Sequence, residues 1–244
     1  MRIAVAGATG RVGRHVVDVA EERGHEVVRM SRGTGVNVIT GEGLAVALKG
    51  VDVVIDVSTA PTPDGATEFF TTSTRNLQQY SEEAGVRRIV VISIVGIDNF
   101  KSGYSHAKLV HESLMEAGPV PVSIVRTTQF YEFVAQLMDW GNQGDTIYVQ
   151  SGRTQALSAR SASEALVDAA ENPSDSVVNV AGPQEESMTE LAQLYAEHKG
   201  LNARIVRADN SDDPDAALYD AGELLPPPDA RILGPTFKSW LSQV

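Results

Sequence analysis

The chain has 244 residues, 42% of them apolar and 21% charged, with a formal net charge of −12. That balance reads as an ordinary folded protein and excludes nonspecific binding to nucleic acid or to anionic membranes, whose phosphates this charge repels. The chain has no cysteine, which excludes disulfides, thiol catalysis and thiolate metal sites. The five His residues show no metal-ligand spacing, so no metal is expected.

In chain order, residues 2–6 (RIAVA) are a short apolar run that stops at glycine, the pattern of a buried strand. Residues 11–23 place Val12, Val16, Val17 and Ala20 near helical spacing, and Gly24 closes the segment. Residues 26–30 (EVVRM) and 51–57 (VDVVIDV) read as the next strands. Residues 66–84 are a long helix with Leu77, Tyr80 and Ala84 on one face, ended by Gly85. A strand at 88–95, a helix at 105–117 and a strand at 121–126 follow. Repeated strand–helix alternation makes βαβ units and a parallel sheet. After residue 126 the pattern loosens. Helices are expected at 129–140, 161–171 and 187–199, strands at 146–150 and 177–180, and a looping surface tail at 209–230. The expected fold is α/β: a Rossmann-like, doubly wound parallel sheet with helices on both faces. It is expected as one domain, with a cofactor half to about residue 126 and a small C-terminal substrate lobe over about 127–244. No stretch approaches 18 apolar residues and no leader segment is visible, so no membrane span and a cytoplasmic protein are expected.

The first strand runs into Gly7-Ala8-Thr9-Gly10-Arg11-Val12-Gly13 and then a helix. Here Gly7 permits a tight turn, Gly10 lets backbone approach a pyrophosphate, and Gly13 lets the helix lie close to the sheet. The helix N-terminus offers N–H groups and positive potential to phosphate. Strand, loop and helix in this order point to a dinucleotide, with Gly7, Thr9, Gly10, Arg11, Val12 and Gly13 as contacts. The second strand ends Met30-Ser31-Arg32, without the acid that holds a ribose 2′-hydroxyl. Ser31 and Arg32, with Arg11 or Arg14 near, suit a 2′-phosphate, so NADP is expected ahead of NAD. Ser58 and Thr59 follow the strand at 51–57, at the edge where ligands lie in such sheets, and are weaker cofactor candidates beside Ala6 and Ala60.

The spacing Tyr-x-x-x-Lys occurs twice, in YSHAK at 104–108 and YAEHK at 195–199. Four residues is about one helical turn, so each pair shares a face. Spacing alone leaves a proton-transfer pair and a solvated face equally open.

The stretches GATGRVG at 7–13, Asp52 opening VDVVIDVSTAP, TRNLQQYSEEAGVRRIVVIS at 74–93, YSHAK at 104–108 and RTTQFYEF at 126–133 together resemble the atypical, NmrA-like branch of the short-chain dehydrogenase/reductases. The likeness is strong to residue 133 and weak beyond. It implies a catalytic set of Ser93, Tyr104 and Lys108. Tyr104 would exchange a proton with the substrate oxygen, Lys108 would lower the Tyr pKa and hold the nicotinamide ribose, and Ser93 would hydrogen-bond the same oxygen. Ser93 stands alone in ISIVG, where many relatives carry a doublet. Tyr195 and Lys199 follow no strand that ends in Ser and read as surface groups. Asn76 is taken as structural. The aromatic stretch at 127–140 falls where the family builds its substrate wall, which makes Phe130, Tyr131 and Phe133 the pocket candidates, with core packing as the alternative. The resemblance implies an NADPH-dependent oxidoreductase acting on a small carbonyl, quinone or enone. The alternative is an NmrA-type sensor that binds NAD(P) without turnover. A small-molecule partner is expected, and a homodimer is left open.

Overall fold

The structure, a computed structural model, describes residues 1–150, 152–209 and 211–244. The chain divides into two compact units. The first comprises residues 1–93, 102–126 and 162–178, and the second residues 94–101, 127–161 and 179–244.

The first unit opens with β1 (Arg2–Ala6), α1 (Gly13–Glu22) and β2 (Glu26–Met30). A single turn of helix, α2 (Leu44–Ala47), leads to β3 (Val53–Asp56), α3 (Ala66–Ala84) and β4 (Arg88–Ile94). Then come α4 (Gly103–Glu116) and β5 (Val122–Thr127). In the second unit are α5 (Phe133–Trp140), β6 (Thr146–Val149) and β7 (Arg153–Thr154). Next along the chain are α6 (Ala159–Glu171), β8 (Val178–Ala181), β9 (Glu186–Ser187) and α7 (Met188–Lys199). Last come β10 (Arg204–Arg207), α8 (Ala216–Ala221), β11 (Arg231–Ile232) and α9 (Phe237–Leu241).

The main sheet is parallel and seven-stranded, in the order β11-β8-β5-β4-β3-β1-β2. Chain progression reverses at β1. It goes outward to β2 and returns on the other side to β3, so the switch point lies between β1 and β3. Residues 2–6 and 53–56 are almost wholly buried because a parallel strand has helices over both faces. One core packs Ala4, Ala6, Val54 and Val91 of the sheet against Leu77 of α3 and Met115 of α4. Within it Gln78 of α3 is buried and fully used. It donates to the Met115 and Val120 carbonyls at 2.8 and 3.3 Å and accepts from the Val120 N–H at 2.9 Å. Asn76, on the same helix, donates to the Val38 and Ile39 carbonyls at 2.8 and 2.9 Å, a structural tie as expected. Arg23, just past α1, bonds Asp168 and Glu171 of α6 at 2.8 and 2.7 Å.

Three expectations shift. Residues 129–132 are not helical, because extended pairing claims them: Phe130 bridges Leu157 and the Tyr131 N–H donates to the Leu157 carbonyl at 3.0 Å. The tail at 209–230 is not all loop, since α8 forms at 216–221 and closes on Gly222 at φ 78°. Two small two-stranded sheets, β6 with β10 and β7 with β9, were not anticipated. No described helix is long and apolar enough to cross a membrane.

Candidate functional site

The glycine loop leaves β1 at the switch point. Gly7 sits at φ 81° and its N–H donates to the Met30 carbonyl at 3.0 Å, which ties the loop to the end of β2. A methyl group on Gly7 would meet the Val57 carbonyl oxygen at 2.9 Å, and one on Gly13 would lie 2.0 Å from the Gly7 carbonyl oxygen. Both positions are therefore glycine for the chain's own packing. Gly13 serves a contact between α1 and the loop itself, a closer constraint than the helix–sheet approach expected of it. Gly10 differs: a methyl there meets only the Gly7 carbonyl oxygen, at 3.1 Å. Thr9, Gly10 and Arg11 are exposed beside the first turn of α1. Their loop has room on its outer side that a side chain at residue 10 would fill, at the positive end of a helix. These residues fit a pyrophosphate. From α6, the Ser163 hydroxyl donates to the Val12 carbonyl at 3.3 Å and braces the loop from behind.

At the end of β2, Ser31 begins a short turn in which the Thr34 hydroxyl accepts from the Ser31 N–H at 3.0 Å and donates to the Arg29 carbonyl at 2.9 Å. Arg32 is exposed and is the only charged residue between Ser31 and Gly35.

The loop after β3 adjoins the glycine loop. Ser58 is buried, and its N–H donates to Asp56 Oδ1 at 2.9 Å. The Thr59 hydroxyl lies 2.9 Å from the Tyr104 hydroxyl. Tyr104 opens α4, is half-buried, and meets the edge of Phe70 at a centroid distance of 5.8 Å. Burial, with the Asp56 charge added, pushes its phenol above the usual value, against the Thr59 bond. The expected lowering by Lys108 is not what the geometry gives. One turn on, Lys108 is buried, with Nζ 2.9 Å from His111 Nδ1 and 4.5 Å from the Phe70 ring centroid. Burial lowers its pKa to about 8, against the charges of Asp56 and Glu112. Ser93 is the penultimate residue of β4 and is also buried.

The second pair behaves differently. Lys199 is exposed and lies 5.7 Å from the Tyr195 ring centroid, a surface cation–π contact. Among the aromatic candidates, Tyr131 is fully buried in the core of the second unit. Its hydroxyl donates to the Pro235 carbonyl at 2.9 Å and its ring packs on Phe237 and Trp240. That is core packing, the alternative reading of this residue. Phe130 and Phe133 are half-buried, and Phe133 meets Trp140 edge-on at 5.7 Å. A cavity of about 400 Å³ in the second unit, lined by residues such as Arg207 and Tyr219, includes none of the expected site residues. No cluster of metal-ligating side chains occurs among the described residues.

Three residues around Lys108 were missed: Asp56, Phe70 and His111. The signals were present. Asp56 is an acid inside the apolar run VDVVIDV, and His111 follows Lys108 by three residues, one turn of helix.

A family model described as NAD(P)H-binding matches residues 7–173. The chain belongs to this NAD(P)H-binding family. The match begins at Gly7 and takes in the glycine loop, Ser93, Tyr104 and Lys108. A curated relative, the photosystem II assembly factor Ycf39 of Synechocystis sp., is 26% identical over 231 residues, covering 84% of this chain and 70% of its own. Among solved structures, the Bordetella bronchiseptica enzyme WbmH in complex with NAD⁺ superposes with a TM-score of 0.72 at 16% identity, covering 99% of this chain and 96% of its own. A nucleoside-diphosphate-sugar epimerase from Staphylococcus aureus gives 0.70 at 18% identity, covering 99% of each chain. A dTDP-4-dehydrorhamnose reductase from Clostridium acetobutylicum gives 0.68 at 18% identity, covering 99% and 93%. The chain thus has the NAD(P)-binding fold of known epimerases and reductases.

Proposed function

We propose that the chain is an NADPH-dependent reductase of small carbonyl, quinone or enone compounds. The nicotinamide would supply the hydride; the protein binds, orients and delivers a proton. The observation that carries this reading is the Tyr104 hydroxyl, held 2.9 Å from Thr59 beside the switch point, with buried Lys108 one turn behind it. A phenol raised by burial stays protonated at neutral pH, which suits donation to a substrate oxygen as hydride arrives. Ser93 at the adjoining strand end would bond the same oxygen. Gly10, Thr9, Arg11 and the α1 N-terminus would bind the pyrophosphate, with Gly7, Val12 and Gly13 shaping the loop and Ser58 walling the nicotinamide side. Arg32 and Ser31 would take the 2′-phosphate, since no acid follows β2.

A fluorescence titration with NADPH, NADH, NADP⁺ and NAD⁺, on wild type and Arg32→Ala, tests the cofactor. NADPH is expected to bind tightest and to lose at least tenfold in the variant, with NADH little changed. A panel of quinones, enones and aldehydes with Tyr104→Phe as control tests the chemistry. Activity lost in that variant with NADPH binding kept supports the reading; equal rates in variant and wild type overturn it.

The second reading is a sensor that binds NAD(P) without turnover. Lys108 favours it, because its ammonium lies on His111 and Phe70 instead of beside the Tyr104 hydroxyl. The name of the Synechocystis relative, an assembly factor, points the same way. NADPH binding with no turnover across the panel would select it.

A further inference from the structure

Asp56, His111 and Lys108 form a line of ionisable side chains inside the first unit. None is more than 2% exposed. Lys108 Nζ is 2.9 Å from His111 Nδ1, and His111 Nε2 is 3.3 Å from Asp56 Oδ2. Where Lys108 is an ammonium, the chemistry of the groups sets the tautomer. An ammonium only donates, so Nδ1 must accept and the ring proton sits on Nε2. An ionised carboxylate only accepts, and it lies on the Nε2 side. With Lys108 charged the imidazole is neutral and lies between a buried anion and a buried cation, its Nε2 at ion-pair distance from Asp56 Oδ2 without hydrogen-bond alignment. Its ring stacks on Phe70 of α3 at 4.5 Å and 15°, which fixes the plane of the ring. The Lys108 ammonium lies over the same Phe70 ring.

We propose that Asp56 and His111 are positioning residues that clamp Lys108 as a cation one helical turn from Tyr104. Asp56 comes from the end of β3, His111 from α4, and the Phe70 platform from α3, so three elements set the place of one ammonium. The other charged group near Lys108 is Glu112, and it is committed elsewhere: Arg126 of β5 holds it through two bonds of 2.9 and 2.7 Å. Tyr104 and Thr59 face the same region as neutral hydroxyls. The electrostatics agree. Burial drives the His111 pKa down and Lys108 lowers it further, which keeps the ring neutral. Burial would raise Asp56, but its His111 and Ser58 contacts outweigh that and hold it below the usual carboxylate value. The inference rests on the reading of Lys108 as part of the Tyr104 site, yet its test reads Lys108 directly.

The protein is labelled with ¹³C at the ε-carbon of lysine, which gives five signals, and the Lys108 signal is assigned by its loss in Lys108→Met. Titration midpoints are then compared in wild type, His111→Phe, His111→Gln and Asp56→Asn. Phe keeps the stack on Phe70 but offers no acceptor. Gln offers an oxygen to Lys108 and an N–H to Asp56. The Lys108 midpoint is expected to fall by about one pH unit or more in His111→Phe and in Asp56→Asn, and to stay within about half a unit of wild type in His111→Gln. Should His111→Phe not fold, Asp56→Asn carries the same comparison. A midpoint unmoved in the folded variants, or moved equally by Phe and Gln, overturns the clamp. Turnover measured on the same samples separates the two readings. A shifted midpoint in a protein without turnover keeps the clamp and removes the reductase. Turnover with an unshifted midpoint does the reverse.

Discussion

Gly13→Ala probes the glycine loop most sharply. The added carbon would lie 2.0 Å from the Gly7 carbonyl oxygen, 2.8 Å from its carbon and 2.9 Å from Ala8 Cα. Ordinary contact begins near 3.4 Å, so either α1 or the loop must retreat by about 1.4 Å. All three neighbours are backbone, and no side-chain rotation relieves the overlap. Overpacking of this kind costs about 1–3 kcal/mol. The better helix propensity of Ala, about 1 kcal/mol in a helix interior and less at a helix end, offsets only part of that. A net loss of about 2 kcal/mol should lower the melting temperature by about 4–8 °C for a chain of this size. Gly10→Ala is the paired control. Its methyl meets one oxygen at 3.1 Å, and the stability change should stay within about 0.5 kcal/mol. NADPH binding, read by fluorescence, should nevertheless weaken at least tenfold, because that methyl projects where the pyrophosphate is expected. A Gly13→Ala protein that melts within about 1 °C of wild type would refute the packing argument. A Gly10→Ala protein with unchanged affinity would refute the cradle.

Three further outcomes follow from buried polar groups. Lys108 has a pKa of about 8 in the fold against 10.5 for the free side chain, so between these values the unfolded chain binds more protons. Stability relative to Lys108→Met should therefore rise with pH across that window, by at most about 3–4 kcal/mol, as read from urea midpoints at several pH values. Arg126→Met strands the Glu112 carboxylate, which is only 7% exposed, and should cost about 2–3 kcal/mol by urea unfolding. Adding Glu112→Met should recover most of it. Gln78→Leu leaves the Val120 N–H without its partner, while the Met115 carbonyl keeps the Gly118 N–H, and should cost about 2 kcal/mol, with faster hydrogen exchange at the Val120 amide.

The first half of the fold was legible because one physical rule governs it. A parallel strand is buried on both faces, so RIAVA and VDVVID appear as apolar runs, and the helices between them carry one apolar stripe each. Glycines with left-handed backbone, such as Gly85 at φ 73°, marked helix ends correctly. The second unit lacks such signals. Strands β7, β9 and β11 are two residues each, too short for any periodicity. Strand β10 reads RIVR, with charges at both ends. Residues 129–132 have a helical composition, but the Leu157 backbone claims them. Nothing local could announce a partner 26 or more residues away.

The two Tyr-x-x-x-Lys pairs make the same point for the site. Their spacing is identical and both lie on helices, so helical geometry alone treats them alike. What separates them is where the helix face points. On α7 the Tyr leans on the core of the second unit while the Lys faces water, and an ammonium there keeps its hydration. On α4 the Lys side chain is carried inside, where an ammonium must be compensated or lose its proton. Compensation comes from Asp56, an acid in a central strand with no reason to be there for packing. A buried cation and an unexplained buried acid are thus one observation seen from two elements. The acid in VDVVID and the His one turn past Lys108 were both visible in the sequence, but each was only an oddity by itself. The parallel register that sets the end of β3 beside α4 is what turns them into a pair.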